Sequence, residues 1–329
     1  MRIVVTGGAG FIGSTFARRV LTDTYPALAG AHVVVLDALT CAGTLTNLAA
    51  VAGSPRLTFV EGDVCDARRT REVVDGADAV VHLAAESHVD RSIADPSRCV
   101  VTNVVGTQTV LEAVRRAGVG RVVHVSTDEV YGPAEVGDRR EGDPLHPSSP
   151  YAAGKAAADL VALSYSRTYG TDVVVTRGSN TYGPHQLPDK LVPLFATRLL
   201  DGGRVPLYGD GLHVRDWLHV DDHCRAVALV LTAGRAGEVY NVSGGTELTN
   251  LELTRRLLAA TGRDASALVR VADRPGHDRR YGLDGTKIRE ELGFVPEVPF
   301  DDGLARTVEW YRTRRDWWEP LTARTAPPH

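Results

Sequence analysis

Residues 1–13 read MRIVVTGGAGFIG. The β-branched run Arg2–Thr6 predicts a strand, and the apolar spacing over 11–22 predicts a helix. Between them Gly7, Gly10 and Gly13 form GxxGxxG. Glycines there permit a tight turn, let the backbone approach a pyrophosphate, and let the helix pack closely on a sheet. The helix N-terminus adds free N–H groups and the positive end of a dipole. Outward from this turn, runs at 32–36, 57–61, 79–83, 121–126 and 172–177 are nearly continuous in apolar character, as strands covered on both faces should be. Stretches at 67–74, 101–117 and 150–169 have helical length and spacing. This alternation predicts a Rossmann-type α/β fold, a doubly wound parallel sheet.

The pattern loosens after Gly183, where Pro184, Pro188, Pro193 and Pro206 punctuate the chain. Helices are expected at 192–200, 250–261 and 301–312, and a short strand at 239–242. The 329 residues exceed what one core usually fills. The expected division is therefore a dinucleotide-binding domain over 1–184, with return segments around 213–245, and a smaller mixed α/β substrate lobe over 185–329. The last eight residues, TARTAPPH, are expected to be disordered.

Composition removes several classes. A net charge of −4 argues against a general nucleic-acid binder, which needs a basic face. No run of 18 apolar residues is present, so no membrane span is expected. The N-terminus reads as a strand and turn, not a signal peptide. Cys41, Cys65, Cys99 and Cys224 are scattered, which fits reduced thiols and a cytoplasmic location. No metal site is expected. The 37 basic residues are 34 Arg and only three Lys, at 155, 190 and 287. A Lys retained against that bias marks a place where a planar guanidinium and a compact ammonium are not interchangeable.

Asp37 lies 24 residues beyond Gly13, at the end of the second predicted strand. A carboxylate there accepts the adenosine ribose hydroxyls and repels a 2′-phosphate, so NAD is expected rather than NADP. Asp63 follows the third strand and is a candidate adenine contact. Tyr151-Ala-Ala-Gly-Lys155 opens the 150–169 helix with Tyr and Lys on one face. An ammonium beside a phenol favours phenolate, a base for a hydroxyl proton. At the end of a strand, where α/β active sites collect, Ser126-Thr127-Asp128-Glu129 places two carboxylates side by side. The plainer reading of that pair is the acidic first turn of a helix.

The segments STDEVYG (126–132), HLAAESHVDRS (82–92), YAAGK (151–155), RDWLHVDDH (215–223) and DRPGHDRRY (273–281) resemble the nucleotide-sugar 4,6-dehydratases of the extended short-chain dehydrogenase/reductase superfamily, over nearly the whole chain. The resemblance implies oxidation of a nucleoside-diphospho-hexose at carbon 4, elimination of water across carbons 5 and 6, and hydride return to carbon 6. Bound NAD would be recycled, and dTDP-glucose is the expected substrate. By the same resemblance Asp128 is the acid, Glu129 the base, Tyr151 the alcohol base assisted by Lys155, and Thr127 a partner of the carbon-4 oxygen.

Further cofactor contacts so implied are Phe11, Ile12, Ala38, Leu39, Thr40, Val64, Leu83, Ala84, Ala85, Glu86, Thr102 and Thr181. Implied substrate contacts are Ser87, Asn180, Lys190, Leu191, Val192, Pro193, Leu194, Phe195, Pro206, Leu207, Tyr208, Arg215, Asn250, Asp273, Arg274, Pro275, Gly276 and His277. For Asn250, Thr249-Asn250 reads equally as a helix N-cap. Arg279 and Arg280 are left as a solvated basic loop, and His88 as a structural residue. The family usually has a second Asn at the position of Thr181 and a larger residue at Gly178. It usually dimerises through the helices at 101–117 and 150–169. Alternatives are another nucleotide-sugar dehydratase, a UDP-sugar epimerase or decarboxylase, or a non-catalytic NAD-binding protein. The carboxylate pair argues against an epimerase, and the retained Tyr, Lys and carboxylates argue against the last.

Overall fold

The computed structural model describes residues 1–40 and 42–325. The strands are β1 (Arg2–Thr6), β2 (His32–Asp37), β3 (Leu57–Glu61), β4 (Ala79–His82), β5 (Arg121–Thr127), β6 (Val173–Gly178), β7 (Asn180–Tyr182), β8 (Val205–Tyr208), β9 (Val214–His219), β10 (Val239–Val242), β11 (Glu247–Thr249) and β12 (Leu268–Val271). Seven form one sheet in the order β10-β6-β5-β4-β1-β2-β3, and every pairing in it is parallel. The order reverses direction between β1 and β4, the switch point above which such sheets bind ligands.

Alternate residues of each strand feed two cores. Ile3, Val5, Val33, Val35 and Val123 pack under helices Phe11–Leu21 and Val220–Ala233. Val4, Val34, Val80, Val122 and Val175 pack under helices Ala67–Val74, Gly106–Ala117 and Pro150–Tyr169. Each such side chain, fully buried, contributes about 1.5–3 kcal/mol. Burial on both faces is why these strands show unbroken apolar runs rather than alternation. A third core joins Tyr182, Phe195, Leu257, Tyr311 and Trp318 beneath helices Leu191–Leu200, Asn250–Thr261 and Phe300–Thr313.

Three expectations change. Residues 101–117 are not one regular helix: Val100–Val105 is a π turn before the α-helix Gly106–Ala117. The cause is long-range. Asn103 accepts from the Glu86 N–H (2.8 Å) and donates to the Glu86 carbonyl (3.1 Å), holding the widened turn against the β4 loop. The tail is not wholly disordered either. Helix Arg315–Thr325 takes in residues 322–325 because Trp317, Trp318 and Leu321 are buried in the third core; the remainder of TARTAPPH lies outside the described residues. Finally, Val220–Ala233, Val89–Ala94 and Thr286–Leu292 are additional helices. Cys65, Cys99 and Cys224 are free thiols, and Cys41 lies outside the described residues.

Candidate active site

The glycine turn comes first. Gly7 has φ +68°, and a Cβ on it would stand 2.7 Å from the Ala84 N–H nitrogen. A Cβ on Gly13 would run into the Gly7 carbonyl. Gly10 is the N-cap of helix Phe11–Leu21 and offers no side-chain cap, so the first-turn N–H groups face the cleft. The cleft, about 310 Å³, runs along the carboxyl ends of the strands. Asp37 closes β2, 8% exposed, and accepts from the Ala9 N–H (2.9 Å) and Leu39 N–H (2.8 Å). Burial raises its pKa, and those two N–H bonds oppose the rise. Leu39 reaches its bond through a left-handed backbone, φ +50°. Glycines shaved to backbone contact, an uncapped helix start and a buried carboxylate one strand away fit NAD.

Among the expected cofactor residues, Gly7, Gly10, Phe11, Ile12, Gly13, Asp37, Ala38, Thr40, Asp63 and Val64 line the cleft, as do 83–86, Thr102, Tyr151, Lys155 and Thr181. Leu39 does not, acting through Asp37 instead.

At the other end, β5 delivers Thr127, and the chain turns into the short 3₁₀ helix Asp128–Tyr131. Thr127 Oγ donates to Asp128 Oδ1 (3.1 Å) and accepts from the Glu129 N–H (3.4 Å). The acidic first-turn reading of the pair is thus also true, but burial gives the carboxylates more than a capping role. Asp128 is 4% exposed and its Oδ2 has no partner among the described residues. Burial, then the charge of Glu129, pushes its pKa up to about 8. Burial raises Glu129 too, but Arg215, Lys190 and Arg274 pull it back. Two adjacent carboxyls thus sit in different environments, one raised by burial and its neighbour's charge, the other tempered by surrounding cations.

Helix Pro150–Tyr169 starts where Ser149 accepts from the Ala152 N–H (3.1 Å), with Pro150 at its first position. This brings Tyr151 and Lys155 to the cleft. Burial, with the negative charge of Glu129, pushes the Tyr151 phenol up, and the hydroxyl of Thr127 counters part of the rise. That is opposite to the direction expected from Lys155. The ammonium instead donates to the Val125 carbonyl (2.8 Å), and burial lowers it to about 8. Behind it Asp159, fully buried, ion-pairs with Arg177 (2.9 Å), and the His124 ring, whose own pKa burial lowers, stands 3.2 Å away. Burial alone would raise this carboxyl, but those two partners hold it below its ordinary value.

Of the expected substrate residues, Ser87, Thr127, Asn180 and Lys190 line the cleft, Lys190 Nζ donating to the Ser87 carbonyl (2.5 Å). Val192, Pro193, Phe195 and Leu207 are buried, and Leu191 and Leu194 pack on the third core. Pro206 and Tyr208 are the half-buried residues of β8. Arg215 is buried and stacks on the Tyr281 ring (4.2 Å), donating to the Asp278 carbonyl (2.9 Å). Arg274 pairs with Asp90 (3.1 Å). Asp273 joins two stacked rings, His277 (2.7 Å) and His213 (3.3 Å), whose centroids are 3.7 Å apart. These three are the group of possible metal ligands found among the described residues. Near-parallel rings keep their nitrogen lone pairs in separate planes, a poor geometry for one shared ion. Asn250 is the first residue of its helix, with Thr249 as N-cap in a capping box with Glu252. Arg279 and Arg280 are engaged by Asp210, Asp138 and Glu247. His88 caps helix Val89–Ala94.

Sequence reading missed His223, Ser126, Ser179 and Gln186, which also line the cleft. The apolar repeat in VALVLTA after RDWLHVDDH was the available signal for His223, since it marks a helix starting beside the strand end.

A dinucleotide turn, a Tyr–Lys pair one helical turn apart and a buried carboxylate pair at the carboxyl ends of the strands define a nicotinamide-dependent enzyme of the extended short-chain dehydrogenase/reductase class. Within it, the chain belongs to the GDP-mannose 4,6 dehydratase family, whose sequence model matches residues 4–307. It is 58% identical over 321 residues to the dTDP-glucose 4,6-dehydratase of Streptomyces niveus, covering 98% of this chain and 96% of that one. It is 58% identical over 329 residues to the enzyme of the same name from Streptomyces antibioticus, covering 100% and 97%. The structure superposes with a TM-score of 0.97 on the dTDP-glucose 4,6-dehydratase of Streptomyces venezuelae, solved with NAD bound, at 61% identity over 98% of this chain and 100% of the other.

Proposed function

We propose that this chain is an NAD-dependent hydro-lyase that converts dTDP-glucose to dTDP-4-keto-6-deoxy-glucose and water. The observation that carries it is the divided carboxylate pair, Asp128 held protonated and Glu129 ringed by cations. An epimerase needs no such pair, because it removes no group from carbon 6.

The first-turn N–H groups behind Gly10 and the carboxylate of Asp37 would hold NAD, with Lys155 toward its ribose; the bound dinucleotide would supply an acceptor for the carbon-4 hydride and its return to carbon 6. Tyr151, whose raised pKa the positive nicotinamide ring of bound NAD would offset in favour of phenolate, takes the carbon-4 hydroxyl proton, while Thr127 orients that oxygen. The carbon-4 ketone acidifies carbon 5, and Glu129 removes its proton and gives a proton back to carbon 5 when hydride reaches carbon 6. Asp128 gives its proton to the carbon-6 hydroxyl, which leaves as water. Asn180 and Lys190 hold the sugar nucleotide within the cleft. Arg215, Arg274 and the Asp273–His277 loop would steer the diphosphate, and the charges of Arg215 and Arg274 tune Glu129 as well.

The sequence division at residue 184 is retained, with return segments at 213–245 completing the nucleotide-binding half. Dimerisation is proposed through the helices at 100–117 and 150–169. Val100, Val101, Val105 and Leu160 stand 53%, 51%, 47% and 61% exposed there, an apolar face that water does not favour. The enzyme works in the cytoplasm, where its three described thiols stay free; among the described residues no helix is long and apolar enough to cross a membrane.

The test is incubation with dTDP-, UDP-, GDP- and CDP-glucose without added NADH, read by mass spectrometry. A dehydrated 4-keto product from dTDP-glucose is expected. No loss of water from any of the four would end the proposal.

A further inference from the structure

Gly178 and Thr181, the two departures from the family pattern, meet at one histidine. Gly178 closes β6 and is the register partner of Thr127 on β5. His223, in the first turn of helix Val220–Ala233, is 2% exposed and lines the cleft. Its ring fills the space a side chain at 178 would need. A Cβ there would stand 2.6 Å from Cε1 and 3.0 Å from Nε2. Thr181 Oγ lies 2.7 Å from Nδ1 of the same ring and 3.1 Å from the Ser179 carbonyl.

The protons can be counted. A hydroxyl has one to give, and a carbonyl has none. With both contacts kept as hydrogen bonds, the Ser179 carbonyl takes the hydroxyl proton, and Nδ1 supplies the proton between the ring and Thr181. Burial lowers the pKa of His223 to about 4, so the neutral ring carries no second proton. Nε2 is left as a bare acceptor, and it has no partner among the described residues. A buried acceptor of this kind calls for an N–H or O–H donor.

The position selects the donor. Asp37 on β2 marks the adenosine end of the cleft. Gly178 on β6 is four strand spacings away, about 19 Å, at the end that holds Tyr151 and Lys155. Lys155 Nζ is held there by the Val125 carbonyl (2.8 Å), which leaves the dinucleotide's primary amide as the N–H donor on the β6 side. We propose that Nε2 of His223 accepts a hydrogen bond from the carboxamide of the nicotinamide ring, with Gly178 making room for the imidazole and Thr181 fixing its tautomer. His223 is then the residue that sets which way the carboxamide points, and the two departures are matched changes serving one contact. The inference rests on NAD being the bound dinucleotide.

Two measurements test it. Calorimetric titration of NAD-stripped protein compares wild type, His223→Leu, Thr181→Val and Thr181→Ser. Nitrogen-15 spectra of histidine-labelled wild type, with and without NAD, read the tautomer without any substitution. His223→Leu should weaken NAD binding about fivefold, the loss of one neutral hydrogen bond. Thr181→Val should weaken it less, and Thr181→Ser should match wild type. In the spectra Nε2 should be unprotonated and shift when NAD binds. Wild-type affinity in His223→Leu, or a protonated Nε2 in the NAD complex, would overturn the inference. A wild type that binds no NAD would instead overturn the cofactor reading beneath it.

Discussion

Replacing Asp128 by asparagine should stabilise the ligand-free fold while abolishing elimination. The carboxyl's pKa rises from the ordinary 3.8 to about 8, chiefly through burial. Between those values the folded state holds a proton that the unfolded chain has lost. Folding stability therefore falls as pH rises, by about 1.4 kcal/mol per unit. Over pH 5 to 8 this amounts to roughly 4 kcal/mol that Asp128 costs the wild type and that the amide variant is spared. The variant's side chain is neutral at every pH and fills almost the same volume. Urea unfolding of both NAD-stripped proteins at pH 5, 6, 7, 8 and 9 would measure the gap. It should be about 1.6 kcal/mol at pH 5, widen by roughly 4 kcal/mol more to pH 8 and level off above it. In parallel, turnover of the wild type should decline above about pH 8, as the acid loses its proton. A stability gap that stays flat from pH 5 to 9 would refute the claim that Asp128 is held protonated by the fold.

Glu129→Gln should keep NAD and dTDP-sugar affinity but slow dehydration by at least about a hundredfold, with exchange of the carbon-5 hydrogen into heavy water lost in step; retained exchange would move the base elsewhere. Gly13→Ala should cost about 1–3 kcal/mol by overpacking against the Gly7 carbonyl, seen as a lower Tm and as protein purified without NAD. Lys155→Arg should lower turnover about a hundredfold, because the guanidinium cannot occupy the closed site beside the Val125 carbonyl; unchanged activity would show that any cation suffices. Leu160→Glu combined with Val101→Glu should weaken a dimer by about 2–3 kcal/mol, roughly a hundredfold. Sedimentation velocity would show it as monomer at micromolar protein.

The seven strands of the central sheet could be read from sequence because all but edge strand β3 are buried on both faces, so β-branched runs such as VVVLD announce themselves without any knowledge of their neighbours. β7, β8, β9, β11 and β12, short and outside that sheet, carried no such signal. The bounds of the helix Pro150–Tyr169 were equally plain, since Ser149, Pro150 and Gly170 are local signals. What sequence did not carry depends on distant contacts. The π turn exists because Asn103 reaches Glu86, and the tail helix exists because Trp318 finds a core. The site divides in the same way. Adjacent carboxyls could be recognised from their order alone; the roles proposed for them come from the resemblance. The direction of the Tyr151 shift could not, because it is set by how much water the folded cleft excludes. The three lysines show both cases: Lys155 and Lys190 line the cleft, whereas Lys287 ties Glu238 (2.6 Å) and the Val239 carbonyl (2.7 Å) beneath β10.

That last attachment bears on how the chain can be cut and recombined. The sheet is left at Gly178 and rejoined only at Val239, and helix Val220–Ala233 buries Val220, Cys224 and Val227 against its face. A fragment ending at residue 184 would lack one edge strand and one covering helix, and would expose that apolar face to aggregation. Exchanging sugar-recognition segments between relatives is thus a matter of paired splices, one on each side of the returning helix and strand. During synthesis, too, the six earlier strands leave the ribosome before the seventh, so the nascent sheet must wait with an open border.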